Sequence, residues 1–218
     1  MYLNDILEKT FSSPAKIRLL RFIASYGSEI TGRQLAKFTG ISHTQVQNLL
    51  EELGAEGLII SKSAGKAWIH SINLNNTLVK NVLLELFEKE KRFLSETIDK
   101  HLKPVYSRSL SVILFGSVKN GKEKANSDVD ILVVTKNEND RKAVERVTSN
   151  ASLEFLASTG NALSVLVLSV QKLRKMKQEG KGILKEIENG KVYYGKSLNE
   201  VLTGCCSSIV NSKLYLVK

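Results

Sequence analysis

The sequence predicts two domains of different class, an α+β module followed by an α/β module with a mixed sheet and helices, joined by one long helix. Three observations carry this. Two helices with strong capping signals and a hairpin pattern fill the first 74 residues, a helical period runs from Asn75 to about Lys103, and short apolar runs replace it after Pro104. At 218 residues with 42% hydrophobic content, the chain can bury one large core or two modest ones.

Leu3, Ile6, Leu7 and Phe11 recur at helical spacing, and Ser13-Pro14 then supplies an N-cap with proline at the first helical position. The helix that follows is expected to bury Ile17, Leu20 and Ile23. Thr31-Gly32-Arg33-Gln34 fits a capping box, in which Thr31 accepts the third backbone N–H while Gln34 reaches back. Leu35 and Phe38 form the apolar face of that helix, and Gly40 ends it. Ser42-His43-Thr44-Gln45 repeats the box and opens a helix with Val46, Leu49, Leu50 and Leu53 along one stripe. Two short helices joined by a Gly-containing turn are a helix-turn-helix signature. From Gly57 to Asn73, two apolar runs flank a polar tip that holds Lys62, Gly65 and Lys66, which reads as a hairpin with a basic turn.

The helical period after Asn75 is marked by Leu78, Val79, Val82, Leu83, Leu86, Phe87, Phe93, Leu94 and Ile98, and Pro104 closes it. Such a helix serves as a rigid connector, as a dimer seam, or simply packs against its own domains. Ser109–Phe115, Val129–Thr135 and Ala162–Ser169 are short apolar runs separated by helical stretches, an α/β pattern. The boundaries expected are therefore 1–74, a connector 75–104, a second domain 105–200 and a tail 201–218.

A net charge of +10 and a pI of about 9.5 favour an anionic partner, whether nucleic acid, nucleotide or acidic protein. Residues 109–218 carry 17 Lys/Arg against 11 Asp/Glu, whereas residues 1–74 carry 8 against 6. Any DNA-binding reading of the N-terminal part must therefore rest on pattern rather than bulk charge. Cys205 and Cys206 are the only cysteines, and adjacent cysteines make neither a disulfide framework nor a metal-ligand spacing, so a reducing, cytoplasmic setting is expected. No apolar run approaches the roughly 18 residues of a membrane span, so no membrane partner is expected.

The stretch richest in chemistry runs from Leu114 to Leu132, where a strand enters Gly116-Ser117, a polar loop follows, and Asp128-Val129-Asp130 opens the next strand. Glycine lets the backbone approach a phosphate, and its N–H and the Ser117 hydroxyl can donate to anionic oxygens. Asp128 and Asp130, two apart on a strand, point to one side of the sheet. Two carboxylates at one point repel unless a cation neutralises them, and Mg²⁺ carried by a nucleoside triphosphate does so. A solvated turn would account for an isolated Asp-x-Asp, and an isolated Gly-Ser is common; the two together between apolar strands are the informative pattern.

This arrangement resembles the minimal nucleotidyltransferases of the DNA polymerase beta superfamily. The resemblance implies Mg²⁺- or Mn²⁺-dependent transfer of a nucleoside monophosphate from a nucleoside triphosphate to a hydroxyl, with Gly116 and Ser117 on phosphate and Asp128 and Asp130 as catalytic metal ligands. Ile183–Gly195 also resembles the way such domains end. Transferring members place a third carboxylate on a later strand, but Asn161–Ser169 contains no acid, and Ser164 stands where that carboxylate is expected. Glu154 is the nearest upstream acid. Val118 and Lys119 follow Gly-Ser, so Lys119 or Lys122 must supply any phosphate-binding charge. The enzyme question thus stays open, with two of three expected carboxylates present. An active member would transfer to a protein or an RNA hydroxyl, and because small members of this kind occur in toxin–antitoxin pairs, the resemblance also admits an antitoxin role.

Residues 1–74 resemble the winged helix-turn-helix of prokaryotic regulators. With the Val46 stripe inward, Thr44 and Asn48 lie opposite and Gln45 and Gln47 on the flanks, side chains able to read base edges in double-stranded DNA. Arg33, Lys62 and Lys66 would meet phosphates. His43 and Trp68 are read as structural. The same fold also serves protein contacts alone. Three readings follow: a DNA-binding transcriptional regulator that binds Mg-nucleoside triphosphate, an active nucleotidyltransferase acting on a protein or RNA hydroxyl, and a structural homodimer.

Overall fold

The computed structural model describes residues 4–180 and 182–204; Leu3 of the first predicted helix and the pair Cys205 and Cys206 lie outside the described residues. The chain forms two compact units, one ending at Phe93 and one beginning at Leu94. The division falls inside the long helix, so the segment expected to be a connector is shared between the units. No described helix is long and apolar enough to cross a membrane.

The first unit contains α1 (Ile6–Thr10), α2 (Pro14–Tyr26), β1 (Ile30–Thr31), α3 (Gly32–Thr39), α4 (His43–Ala55), β2 (Ile59–Ala64) and β3 (Ala67–Ile72). Ser13 accepts from the Lys16 N–H to open α2, and the Thr31–Gln34 capping box is formed in both directions at α3. At α4 only half of the box exists, with Ser42 accepting from the Gln45 N–H. The hairpin β2–β3 pairs antiparallel from Ile59↔Ile72 to Ala64↔Ala67, and β1 adds along β3. This is the expected winged helix-turn-helix. Its core gathers Leu19, Leu20, Ile23, Leu35, Val46, Leu49, Leu50 and Leu53 with Val79, Leu83 and Phe87.

Several packing expectations are corrected. Leu19, not Ile17, joins Leu20 and Ile23 in the core, because α2 is turned so that residues 16, 19, 20 and 23 face inward. Phe38 is 52% exposed and stacks on Phe22, whose ring also stacks on Tyr26. Trp68, read as structural, is 61% exposed, and His43 is exposed as well. Trp68 lies opposite Ser63 near the hairpin tip, on the face of the wing turned to α4 but not packed under it.

The long helix begins with a π-helical segment, Val79–Leu83, and continues as α5 (Leu84–Leu102) into a 3₁₀ turn, Lys103–Arg108, that holds Pro104. The second unit adds β4 (Ser109–Phe115), α6 (Gly116–Lys119), β5 (Val129–Thr135), α7 (Glu138–Thr159), β6 (Leu163–Ser169), α8 (Val170–Gln178), α9 (Ile183–Glu188), β7 (Lys191–Gly195) and α10 (Leu198–Thr203). The sheet order is β6-β5-β4-β7, with β5 and β6 parallel and β4 antiparallel to β5 and β7. Val112, Leu114, Ile131 and Val133 face one layer, which includes Val144, Ala151 and Phe155 of α7. Ile113, Phe115, Leu132 and Val134 face the other, covered by Leu173 of α8, Leu184 and Ile187 of α9, and Leu198 and Val201 of α10. Val201 is buried and α10 runs to Thr203, so the boundary expected at 200 falls within a packed helix.

Candidate nucleotide and metal site

The candidate site forms where three strands of the second unit end together. Phe115, the last residue of β4, pairs with Asp130, and Asp130 pairs on its other side with Ser164 at the start of β6. Period-2 alternation puts Phe115, Asp130 and Ser164 on the sheet face covered by α8, α9 and α10. Gly116 follows with a left-handed φ of 76°, and a Cβ there would stand 2.3 Å from Asp130 Oδ2 and 3.1 Å from its Cγ. Only glycine fits: it provides both the backbone angle and the space for the carboxylate. Ser117 sits in the short α6 turn, and its carbonyl accepts from the Asn120 and Lys122 N–H groups, which folds the loop back.

The rest of the loop is tied down by Asn161, whose side-chain amide donates to the Ala125 and Ser127 carbonyls at 2.9 and 3.0 Å. Val129 N–H donates to the Ala162 carbonyl at 2.8 Å, so β5 enters the sheet with Asp128 and Asp130 on one side. Asp128 is exposed and Asp130 half-buried. Burial, and then the neighbouring Asp128 charge, hold the Asp130 carboxyl above its ordinary value; a hydrogen bond from Ser164 pulls the other way, and the Glu186 charge adds to the rise. Hard carboxylate oxygens in mutual repulsion suit a divalent cation. Among the described residues, no group of three or more His, Cys, Asp or Glu side chains is arranged to hold a metal, so phosphate or water oxygens would complete its shell. Lys119 is half-buried at the end of α6 and Lys122 is exposed, and neither forms an ion pair among the described residues.

In the first unit, Thr44, Gln45 and Asn48 of α4 are exposed, as are Arg33 at the start of α3, Lys62 in β2 and Lys66 in the hairpin turn. Gln47 differs from them. It is half-buried, with Nε2 2.3 Å from where a Gly32 Cβ would stand and 3.5 Å from His43 Nε2, so its amide packs against the start of α3. Lys62 pairs with Glu29 at 3.8 Å, both side chains being exposed. Lys16 is a residue that patterning misses. It is fully buried, and Nζ donates to Glu52 Oε1 and Glu56 Oε1, both at 2.7 Å, and to the Lys9 carbonyl at 2.8 Å. Burial alone would lower its pKa, but the hydrogen bonds and charges of Glu52 and Glu56 outweigh it and hold the ammonium above its ordinary value. It anchors the second half of α4.

A family model described as the nucleotidyltransferase domain matches residues 84–194. The chain belongs to the nucleotidyltransferase domain family. A second model, for the MarR family, matches residues 13–67, so a MarR-type winged helix precedes the nucleotidyltransferase domain. Comparison with the curated proteins finds no match. Among solved structures, a predicted DNA-binding transcriptional regulator from E. coli is 24% identical, with 39% of this chain and 84% of that chain covered and a TM-score of 0.34. The AntR antimony-specific transcriptional repressor is 22% identical, with 42% and 78% covered and a TM-score of 0.36. TrmBL2, an archaeal chromatin protein, is 15% identical, with 88% and 76% covered and a TM-score of 0.28.

Within the nucleotidyltransferase domain, Ser164 occupies the β6 position beside Asp130. Glu154 does not compensate: it lies on α7, which covers the opposite face of the sheet, and it pairs with His101 Nδ1 at 3.6 Å. The acid on the correct side is Glu186 of α9, between the core residues Leu184 and Ile187, and its charge reaches Asp130. Nothing in the sequence marks it, because an acid on a short amphipathic helix reads as an ordinary solvated position.

Proposed function

We propose that the chain is a DNA-binding transcriptional regulator whose nucleotidyltransferase domain binds a Mg-nucleoside triphosphate and transfers nucleotide poorly or not at all. The observation that carries this reading is the substitution in the Asp130 register: a hydroxyl, not a carboxylate, stands beside it and donates to it. Gly116 and Ser117 offer backbone and hydroxyl donors to phosphate, Lys119 and Lys122 offer charge, and Asp128 and Asp130 hold the cation. Bound Mg²⁺, or Mn²⁺, would neutralise the two carboxylates and the triphosphate and polarise the phosphoryl oxygens. With one ligand of the three replaced by serine, the clamp on an attacking hydroxyl is incomplete.

Incubation of the full chain with each α-labelled nucleoside triphosphate, Mg²⁺ and cell extract tests the reading. The expected result is Mg²⁺-dependent nucleotide binding with no label on protein or RNA. Label transferred to a macromolecule, and lost in the Asp128→Ala, Asp130→Ala double variant, would establish instead the second reading, an active nucleotidyltransferase. What favours that alternative is Glu186, an exposed carboxylate on the covering helix α9 whose charge reaches Asp130. Thr44, Gln45, Asn48, Arg33, Lys62 and Lys66 are proposed to contact duplex DNA, with Gln47 holding α4 against the start of α3.

A further inference from the structure

A second concave site lies within the first unit, between α4 and the wing. It is a cleft of about 360 Å³ lined by Gln47, Leu50 and Glu51 of α4 and by Ser61, Trp68 and His70 of the hairpin. Its composition is unusual for a surface groove. Trp68, the only tryptophan of the chain, is 61% exposed, although indole is among the side chains that gain most from burial. Leu50 is buried at the α4 side of the cleft, and His70, also buried, shares a hydrogen bond of 2.8 Å between Nδ1 and Ser61 Oγ.

The electrostatics of the lining have one sign. Glu51 is the only carboxylate or ammonium among the six residues, it is exposed, and it makes no ion pair among the described residues. Burial keeps His70 below its ordinary value, so the imidazole adds no positive charge at neutral pH. Of the wing lysines, Lys62 follows Ser61 on the strand, is therefore directed to the other face of the hairpin, and pairs there with Glu29, while Lys66 is exposed in the turn and does not line the cleft. An indole face and a carboxylate together form the usual recognition set for an organic cation.

We propose that this cleft binds a small organic cation with a planar apolar body, the body resting on Trp68 and Leu50 and the charged end directed to Glu51. Ser61 Oγ and Gln47 Oε1 supply acceptors for the remaining N–H groups. The inference uses no residue of the second unit and needs no duplex, although the cleft shares α4 with the proposed DNA-contacting surface.

Trp68 makes the test direct, because the emission of a single tryptophan reports from inside the cleft. The full chain is titrated with benzamidine, which is protonated at neutral pH, with the isosteric neutral benzamide, and with benzoate. Benzamidine is expected to change Trp68 emission saturably with a midpoint below about 1 mM, with benzamide and benzoate at least roughly tenfold weaker. Glu51→Gln, at an exposed position, is expected to weaken benzamidine about tenfold without moving the thermal midpoint, and Trp68→Phe to weaken binding followed by calorimetry. No saturable change with benzamidine, equal responses to the three compounds, or an unaltered affinity in Glu51→Gln would overturn the proposal.

Discussion

A methyl group added at position 116 would have no room. The left-handed φ strains any L-residue, and the new Cβ would meet the Asp130 carboxylate at 2.3 Å. Gly116→Ala is therefore expected to cost roughly 1–3 kcal/mol of stability and to displace Asp130, abolishing nucleotide binding. Chemical denaturation with a parallel nucleotide titration checks both effects. The role of this glycine was legible in the sequence as a close-approach position, but what approaches it within the protein, the side chain of Asp130, was not. His70 carries a pH prediction. Burial lowers its pKa below the ordinary 6.5, so the unfolded chain takes up a proton at a pH where the folded chain does not. The associated stability is complete above pH 6.5 and is lost as pH falls from there through the lower folded value. The urea midpoint of the wild type should fall more between pH 7.5 and 5.5 than that of His70→Phe; equal falls would contradict this.

At the scale of elements, the caps and the apolar stripes were readable because they are local. Ser13, Thr31 and Gly40 act within four residues of where they stand, and all three appear as expected. Thr31→Ala should cost about 1 kcal/mol, measurable by thermal unfolding of the full chain. Lys16 was unreadable for the opposite reason. Its partners Glu52 and Glu56 lie 36 and 40 residues away, and a lysine in an amphipathic helix reads as solvated until the fold brings α4 over it. Replacing it leaves Glu56 buried without its cation, so Lys16→Met should destabilise the first unit by about 3–5 kcal/mol. A loss below about 1 kcal/mol would show the network to be dispensable. Phe38 is more exposed than its place on the apolar face of α3 suggests, because helical period predicts which side of an element a residue occupies, not whether another element covers it.

For the whole molecule, the order of modules and the class of each were evident from the changes of periodicity near Asn75 and Pro104. The exact division was not, because the helix between them contributes Phe87 to one core and Ile98 to the other without any break in pattern. The charge distribution makes a separate prediction. If the winged helix meets DNA through Lys62 and Lys66 in its wing, affinity for duplex should fall steeply with salt, and substituting both lysines should reduce the log–log slope by about 2. An unchanged slope would remove the wing from the interface.

Asp128 and Asp130, with Gly116 between strand and loop, are proposed to form a metal-dependent nucleotide site. Equilibrium titration of the full chain with ATP, GTP, CTP and UTP, with and without Mg²⁺, tests it most directly when Asp130→Asn is measured alongside. The expected result is saturable binding of at least one triphosphate that requires Mg²⁺ and weakens at least about tenfold in the variant. Absence of Mg²⁺-dependent binding to all four nucleotides, or binding that Asp130→Asn leaves unchanged, would contradict it.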